Sequence, residues 1–248
     1  MKRFLVVQHT HAEFLGALEK QFENRDIGFQ YCRPVAGQPL PASALQYDAL
    51  WLLGGAYPLA ERARWPWLDD ELKLIRAFAR AGRPTVGLGC GGLLVALASG
   101  GILRPEPAQL AYWTTARATA AGAGDPVAQA LDGRRVLVMA NGRVDPPRGH
   151  APLAVDEAGD WIALRDGPAY ALLCRPEMKP GMIEDMIMEE ERQLPEEIGA
   201  VLEQARAEWA ATQRTTDLIV AALVSALDLM RERRKPPVFA LRAVKGGG

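Results

Sequence analysis

Residues 83 to 101, RPTVGLGCGGLLVALASGG, constrain this chain more than any other stretch. The apolar run PTVGLG at 84 to 89 predicts a buried strand, and GLLVALASGG predicts a helix that stops on Gly100 and Gly101. Only Cys90 and Gly91 lie between them. A strand that runs through a glycine-rich reversal straight into a helix has the shape of a nucleophile elbow or an anion cradle. Small residues let the chain turn tightly, and the helix start points free N–H groups at whatever sits there. The same residues also describe a plain strand-to-helix connection in which Cys90 packs as a small apolar side chain.

The flanking segments extend this unit into a sheet. FLVV at 4 to 7, IGFQYC at 27 to 32 and ALWLLGG at 49 to 55 read as strands, the first and third fully apolar as buried parallel strands are. Phe14, Leu15, Leu18 and Phe22 recur at helical spacing within residues 12 to 24. Residues 68 to 82 read as a second helix, with Asp69, Asp70 and Glu71 matched to its N-terminal dipole and Gly82 as its stop. The order β-α-β-β-α-β-α predicts an α/β fold, an open and mostly parallel sheet with helices on both faces. Further strands are expected at 134 to 140, 161 to 165 and 169 to 174, and helices at 181 to 193 and 195 to 234. The last helix ends in RERRK, a basic run suited to a helix C-terminus. The expected organisation is one domain over 1–180, a helical extension over 181–235 packed on that domain or on a partner in a homodimer, and a frayed tail at 236–248.

The formal net charge of −1 gives no electrostatic reason to expect nucleic acid or an anionic membrane. The longest C-terminal apolar stretch, LIVAALVSAL at 218 to 227, is too short to span a bilayer. The apolar run after Met1 is too short for a signal peptide, so a soluble cytoplasmic protein is expected. Cys32, Cys90 and Cys174 lack metal-ligand spacing, and their odd number argues against a disulfide framework. His9, His11 and His150 are too few for an evident metal cluster. The methionines of PEMKPGMIEDMIMEEE read as helix packing rather than a soft-metal site, and Trp65 and Trp67 as packing anchors around Pro66. No metal and no cofactor is expected.

With these elements in order, the chain resembles the class I glutamine amidotransferases, in particular stand-alone proteins similar to the glutaminase domain of GMP synthase. An ungapped match to that family's elbow pattern, G-[IVL]-C-x-G-x-Q-L-[LI]-A with a closing glycine pair, places Gly87, Leu88, Gly91, Leu94, Ala96, Gly100 and Gly101 on family positions. VVQH at 6 to 9 resembles the family's opening strand, and YDALWLLGGAYPL at 47 to 59 its oxyanion strand. WPWLDDELKLIRAFARAGRPTVG resembles the helix and strand that follow, and PAYALLCRPEMKPGMIEDMI at 168 to 187 the region of the family's F-H-P-E motif. The likeness runs from about residue 3 to about residue 190 and implies a flavodoxin-like sheet.

It also implies a reaction. In the family a cysteine at the elbow attacks the glutamine side-chain amide, a histidine acts as its base, and a glutamate orients the histidine. Backbone N–H groups hold the oxyanion, and glutamate and ammonia leave by way of a thioester. This chain departs from that pattern at two of the three positions. Gly89 stands at the nucleophile position, with Cys90 one residue late, and Arg175 stands at the histidine position; only Glu177 matches. Leu93 replaces the usual glutamine of the pocket. Each residue along a helix rotates the side chain by about 100°. Cys90 therefore faces the pocket only if the turn slips by one residue. Arginine stays protonated and cannot serve as a general base.

The expectation is therefore a class I amidotransferase-like protein whose glutaminase reaction is impaired or absent. Two alternatives stand beside it. One is a binding module for glutamine or another small anion, held by Arg175 with backbone groups of Gly54, Gly55, Cys90 and Gly91 beside Leu93. The other is a thiol hydrolase using Cys90 with Glu177. Any amination would need a separate synthetase or acceptor partner. His9 reads as a packed or solvent-facing residue, His11 as a surface residue, and Arg175 with Glu177 also as a simple ion pair.

Overall fold

The computed structural model describes residues 2–106, 108–189 and 194–231. In chain order the elements are β1 (Lys2–Val7), α1 (Ala17–Glu23), β2 (Ile27–Cys32), β3 (Ala49–Leu52), α2 (Pro66–Arg80), β4 (Thr85–Leu88) and α3 (Cys90–Ala98). Then follow β5 (Ile102–Leu103), β6 (Leu110–Thr115), β7 (Arg117–Ala118), α4 (Pro126–Leu131), β8 (Arg135–Ala140), β9 (Val144–Asp145), β10 (Ala154–Val155), β11 (Trp161–Asp166) and β12 (Ala169–Leu172). The chain continues through α5 (Pro180–Met188), α6 (Ile198–Ala207) and α7 (Trp209–Ala226).

Every residue of β3, β4 and β12 is buried, as strands covered on both faces must be. They lie inside an eight-stranded sheet of order β2-β1-β3-β4-β12-β11-β10-β7. The first five strands are parallel and the last three antiparallel. Helices cover both faces: α2 and α3 pack together on one side, and α7 packs with α1 and α4 on the other. The strands β1, β3, β4 and β12 all end at one edge. The strand order also reverses between β1 and β3, so this carboxyl edge is where a ligand crevice forms in an open sheet.

The glycine run builds the turn at that edge. A Cβ on Gly91 would run into the Leu52 carbonyl, and one on Gly92 would lie 2.5 Å from the Leu172 carbonyl oxygen. These glycines therefore let the first turn of α3 sit directly on the ends of β3 and β12.

Three elements differ from the sequence reading. The helix expected over 12 to 24 starts only at Ala17. Gly16 has a positive φ of 53°, and the Ala17 N–H donates to the Glu177 carbonyl at 2.9 Å, so residues before it form a loop over the carboxyl edge. The helix expected over 195 to 234 is broken at Glu208 (φ −97°, ψ 6°) into α6 and α7. The strand expected at 134 to 140 is β8, but it pairs with β6 outside the main sheet. The extension folds back on its own chain: α6 packs on α5 and β6, and α7 on α1 and α4. Met178, Met182 and Met186 are buried in a second apolar cluster with Met139, Val201 and Leu202. Among the described residues no helix is long and apolar enough to cross a membrane. The expected tail at 236–248, and RERRK beyond Arg231, lie outside the described residues.

Candidate functional site

Four strand ends deliver the site. The segment after β1 brings His9 and Glu13, the turn after β3 brings Gly54 and Gly55, the elbow after β4 brings Gly89 and Cys90, and the segment after β12 brings Arg175 and Glu177. Gly89 holds φ 55° and ψ −118°, a conformation that costs other residues about 1–3 kcal/mol. The elbow backbone is thus in place without a side chain on it. A Cβ added there would lie 2.5 Å from the Met139 carbonyl oxygen and 2.8 Å from Arg175 Cδ. The space that a side chain on Gly89 would need is already taken.

Arg175 takes it. Its Nε donates to Glu177 Oε1 at 2.5 Å and its Nη2 to Glu13 Oε2 at 2.6 Å. Arg175 is 3% exposed, and Glu13 and Glu177 are fully buried. The guanidinium lies along the glycine turn, where a Cβ on Gly54 would run into Arg175 and the Glu13 carboxylate. Burial disfavours charge on Arg175, yet Glu177 and Glu13 outweigh it and push its pKa up, so the guanidinium stays charged. Burial, with the like charge of Glu13, raises Glu177 above the ordinary carboxylate value despite Arg175. Glu177 Oε2 has no hydrogen-bond partner among the described residues. Cys174, next in chain, is buried, and burial followed by the nearby Glu177 pushes its pKa up to about 12, so it is an inert thiol.

Cys90 is held on the other side of the turn. Its Sγ donates to the Gly55 carbonyl at 3.2 Å and accepts the Asn141 N–H at 3.1 Å. Asn141 Nδ2 also donates to the Gly55 carbonyl at 3.2 Å. The N–H of Gly91, one of the expected oxyanion donors, is spent on the Leu53 carbonyl at 3.1 Å. Leu93 is buried beside Gly142, on the wall of a cavity of about 30 Å³ lined also by Tyr112 and Trp161.

One residue of the site departs from the sequence reading. The apolar spacing of its neighbours places Glu13 in a helix, whereas it lies in the loop before α1. Its signal was the pattern Thr10-x-x-Glu13, a capping-type turn in which the Glu13 N–H donates to Thr10 Oγ1 at 3.2 Å. His9 is packed, one of the two readings its sequence position allows: Nε2 lies 2.9 Å from Glu71 Oε2, and Nδ1 lies 2.9 Å from the Gly54 carbonyl oxygen. Burial alone would lower the His9 pKa, but Glu71 and the Gly54 carbonyl raise it. A carbonyl only accepts, so Nδ1 carries a proton, and the ring pins the glycine turn to α2 through Glu71. Trp67 stacks on this ring at 5.7 Å and packs with Trp65 against Tyr57. His11 is exposed and His150 pairs with Asp166 at 3.3 Å, both away from the site. Among the described residues no group of three or more His, Cys, Asp or Glu side chains is placed to hold a metal ion.

No family model matches the chain. A stretch of 104 residues is 32% identical to YfeJ, a glutamine amidotransferase-like protein of Salmonella typhimurium, covering 41% of this chain and 44% of that protein. The chain thus spans less than half the length of the curated relative it matches. A glutamine amidotransferase structure from Methylobacillus flagellatus superposes with a TM-score of 0.77 at 21% identity, over 96% of this chain and 99% of that one. Another from Thermotoga maritima gives a TM-score of 0.74 at 21% identity, over 92% and 98%. At such identity the likeness is one of fold.

Proposed function

We propose that this chain, a class I glutamine amidotransferase-like protein by fold and sequence likeness, has lost glutamine hydrolysis and acts by binding rather than by catalysis. One observation carries the reading: the Arg175 guanidinium fills the space between the elbow glycine and the glycine turn, locked there by Glu13 and Glu177. For glutamine to reach the turn, Arg175 must leave two buried carboxylates. Breaking a buried pair in that way costs about 3–5 kcal/mol. At about 1.4 kcal/mol per factor of ten, the open form is then roughly a hundredfold to several thousandfold rarer than the closed one. Even the open form has no side chain on Gly89.

The two buried carboxylates on Arg175 also weigh against it as a receptor for free glutamine or another anion in the wild-type protein. The contacts of Cys90 weigh against a thiol hydrolase, because its sulfur is engaged with the Gly55 carbonyl and the Asn141 N–H. What remains for the fold is its surface. A separate synthetase or acceptor protein, the partner that the family resemblance implies, is the class of partner we propose. The test is glutamate release from glutamine by wild type and by Cys90→Ala. No release above a protein-free control in either is expected. Turnover by wild type that is lost in Cys90→Ala would overturn the proposal.

A further inference from the structure

Arg175 presents a planar, doubly donating fork, the group best suited to a carboxylate. The glycine turn makes room for a carboxylate beside it, since a side chain on Gly54 would run into the place that a carboxylate now fills. The carboxylate found in that room belongs to the chain itself. Glu13 reaches in from the loop between β1 and α1, fully buried, with Oε2 2.6 Å from Arg175 Nη2 and against Gly54. The loop is fixed at both ends. Gln8 Nε2 donates to the Thr10 and His11 carbonyls at 2.8 and 3.2 Å, and the Ala17 N–H donates to the Glu177 carbonyl. Tethering of this kind gives a side chain an effective concentration of about millimolar or more, which a free ligand must exceed to compete.

We infer that Glu13 is an internal ligand that occupies a small-monocarboxylate site formed by Arg175 and Gly54. The inference rests on the closed, non-hydrolytic site proposed above and names the chemistry that closes it. Beyond Cβ, the glutamate side chain is a methylene and a carboxylate, the size of acetate. Truncation to alanine therefore leaves a vacancy of that shape, with Arg175 Nη2 facing it. Acetate fits; chloride lacks the planar pair of acceptor oxygens, and butyrate is two carbons too long.

The experiment is thermal unfolding of wild type, Glu13→Ala and Glu13→Ala/Arg175→Met in sodium acetate, chloride and butyrate at equal ionic strength. Acetate is expected to raise the Tm of Glu13→Ala saturably, butyrate and chloride not, and neither wild type nor the double variant is expected to respond. If Glu13→Ala does not fold in chloride, its refolding yield in acetate against chloride reads the same quantity, with a gain expected. No difference between acetate and chloride in whichever measurement applies would overturn the inference, as would an equal acetate response in the double variant. Hydrolysis of glutamine by wild type would instead sink the proposed function and leave the acetate result standing, so the two failures are distinguishable.

Discussion

Replacing Arg175 with methionine keeps most of the length of the side chain and removes its charge. The guanidinium bridges Glu13 at 2.6 Å and Glu177 at 2.5 Å, with all three residues at 3% exposure or less. Surface pairs contribute little, but removing one partner of a buried pair costs about 3–5 kcal/mol because a charge is left uncompensated. Against a total stability of roughly 5–15 kcal/mol this is a large loss. At about 2–4 °C per kcal/mol for a chain of this size, the Tm falls by roughly 6–20 °C. The loss depends on pH. Glu177 is already raised by burial, and without Arg175 it rises further above its unfolded value. A carboxylate raised in the folded state contributes its full stability below the unfolded pKa and loses it as pH rises through the folded one. Arg175→Met is therefore closest to wild type near about pH 4 and falls away as pH increases. Urea unfolding across that range measures it. A loss below about 1 kcal/mol at neutral pH, as for an exposed pair, would refute the closed cluster.

Further outcomes follow for the elbow and for the His9–Glu71 pair. Gly89→Cys should lose about 1–3 kcal/mol through backbone strain, with added crowding against Met139 and Arg175, and should release no glutamate from glutamine. In combination with Arg175→Ala the crowding contribution should shrink, so the pair should be less destabilised than the sum of the singles in denaturant unfolding. Glu71→Gln should cost about 2 kcal/mol by weakening the charged hydrogen bond to His9. Because the His9 pKa is raised on folding, its contribution is complete below the unfolded value of about 6.5 and is lost as pH rises through the folded value. The gap between wild type and Glu71→Gln should therefore be widest in mildly acidic buffer and narrow on raising the pH.

The parallel core was legible because β1, β3 and β4 are continuous apolar runs, the last two ending in glycine, and period and punctuation are enough to order them. The bare elbow was legible for a different reason: Gly89 and Arg175 can be read off directly against a motif. Glu13 was not, since Phe14, Leu15, Leu18 and Phe22 place residues 12 to 24 on one helical face and nothing local announces that Gly16 takes a positive φ to fit against Glu177. Glu71 was hidden likewise. It sits among acidic residues that suit a helix start, and only the fold turns it inward to His9. The two-residue strands β5, β7, β9 and β10 are too short to carry any period. The helix α4 had a readable start that went unused, Asp125 capping the N–H groups of Val127 and Ala128 ahead of Pro126.

A crystal structure of the wild-type protein grown with glutamine tests the central claim most directly. Arg175 is expected between Glu13 and Glu177, with no glutamine against Gly54 or Gly55. Arg175 swung out of the site, with a glutamine amide at the glycine turn, would contradict it.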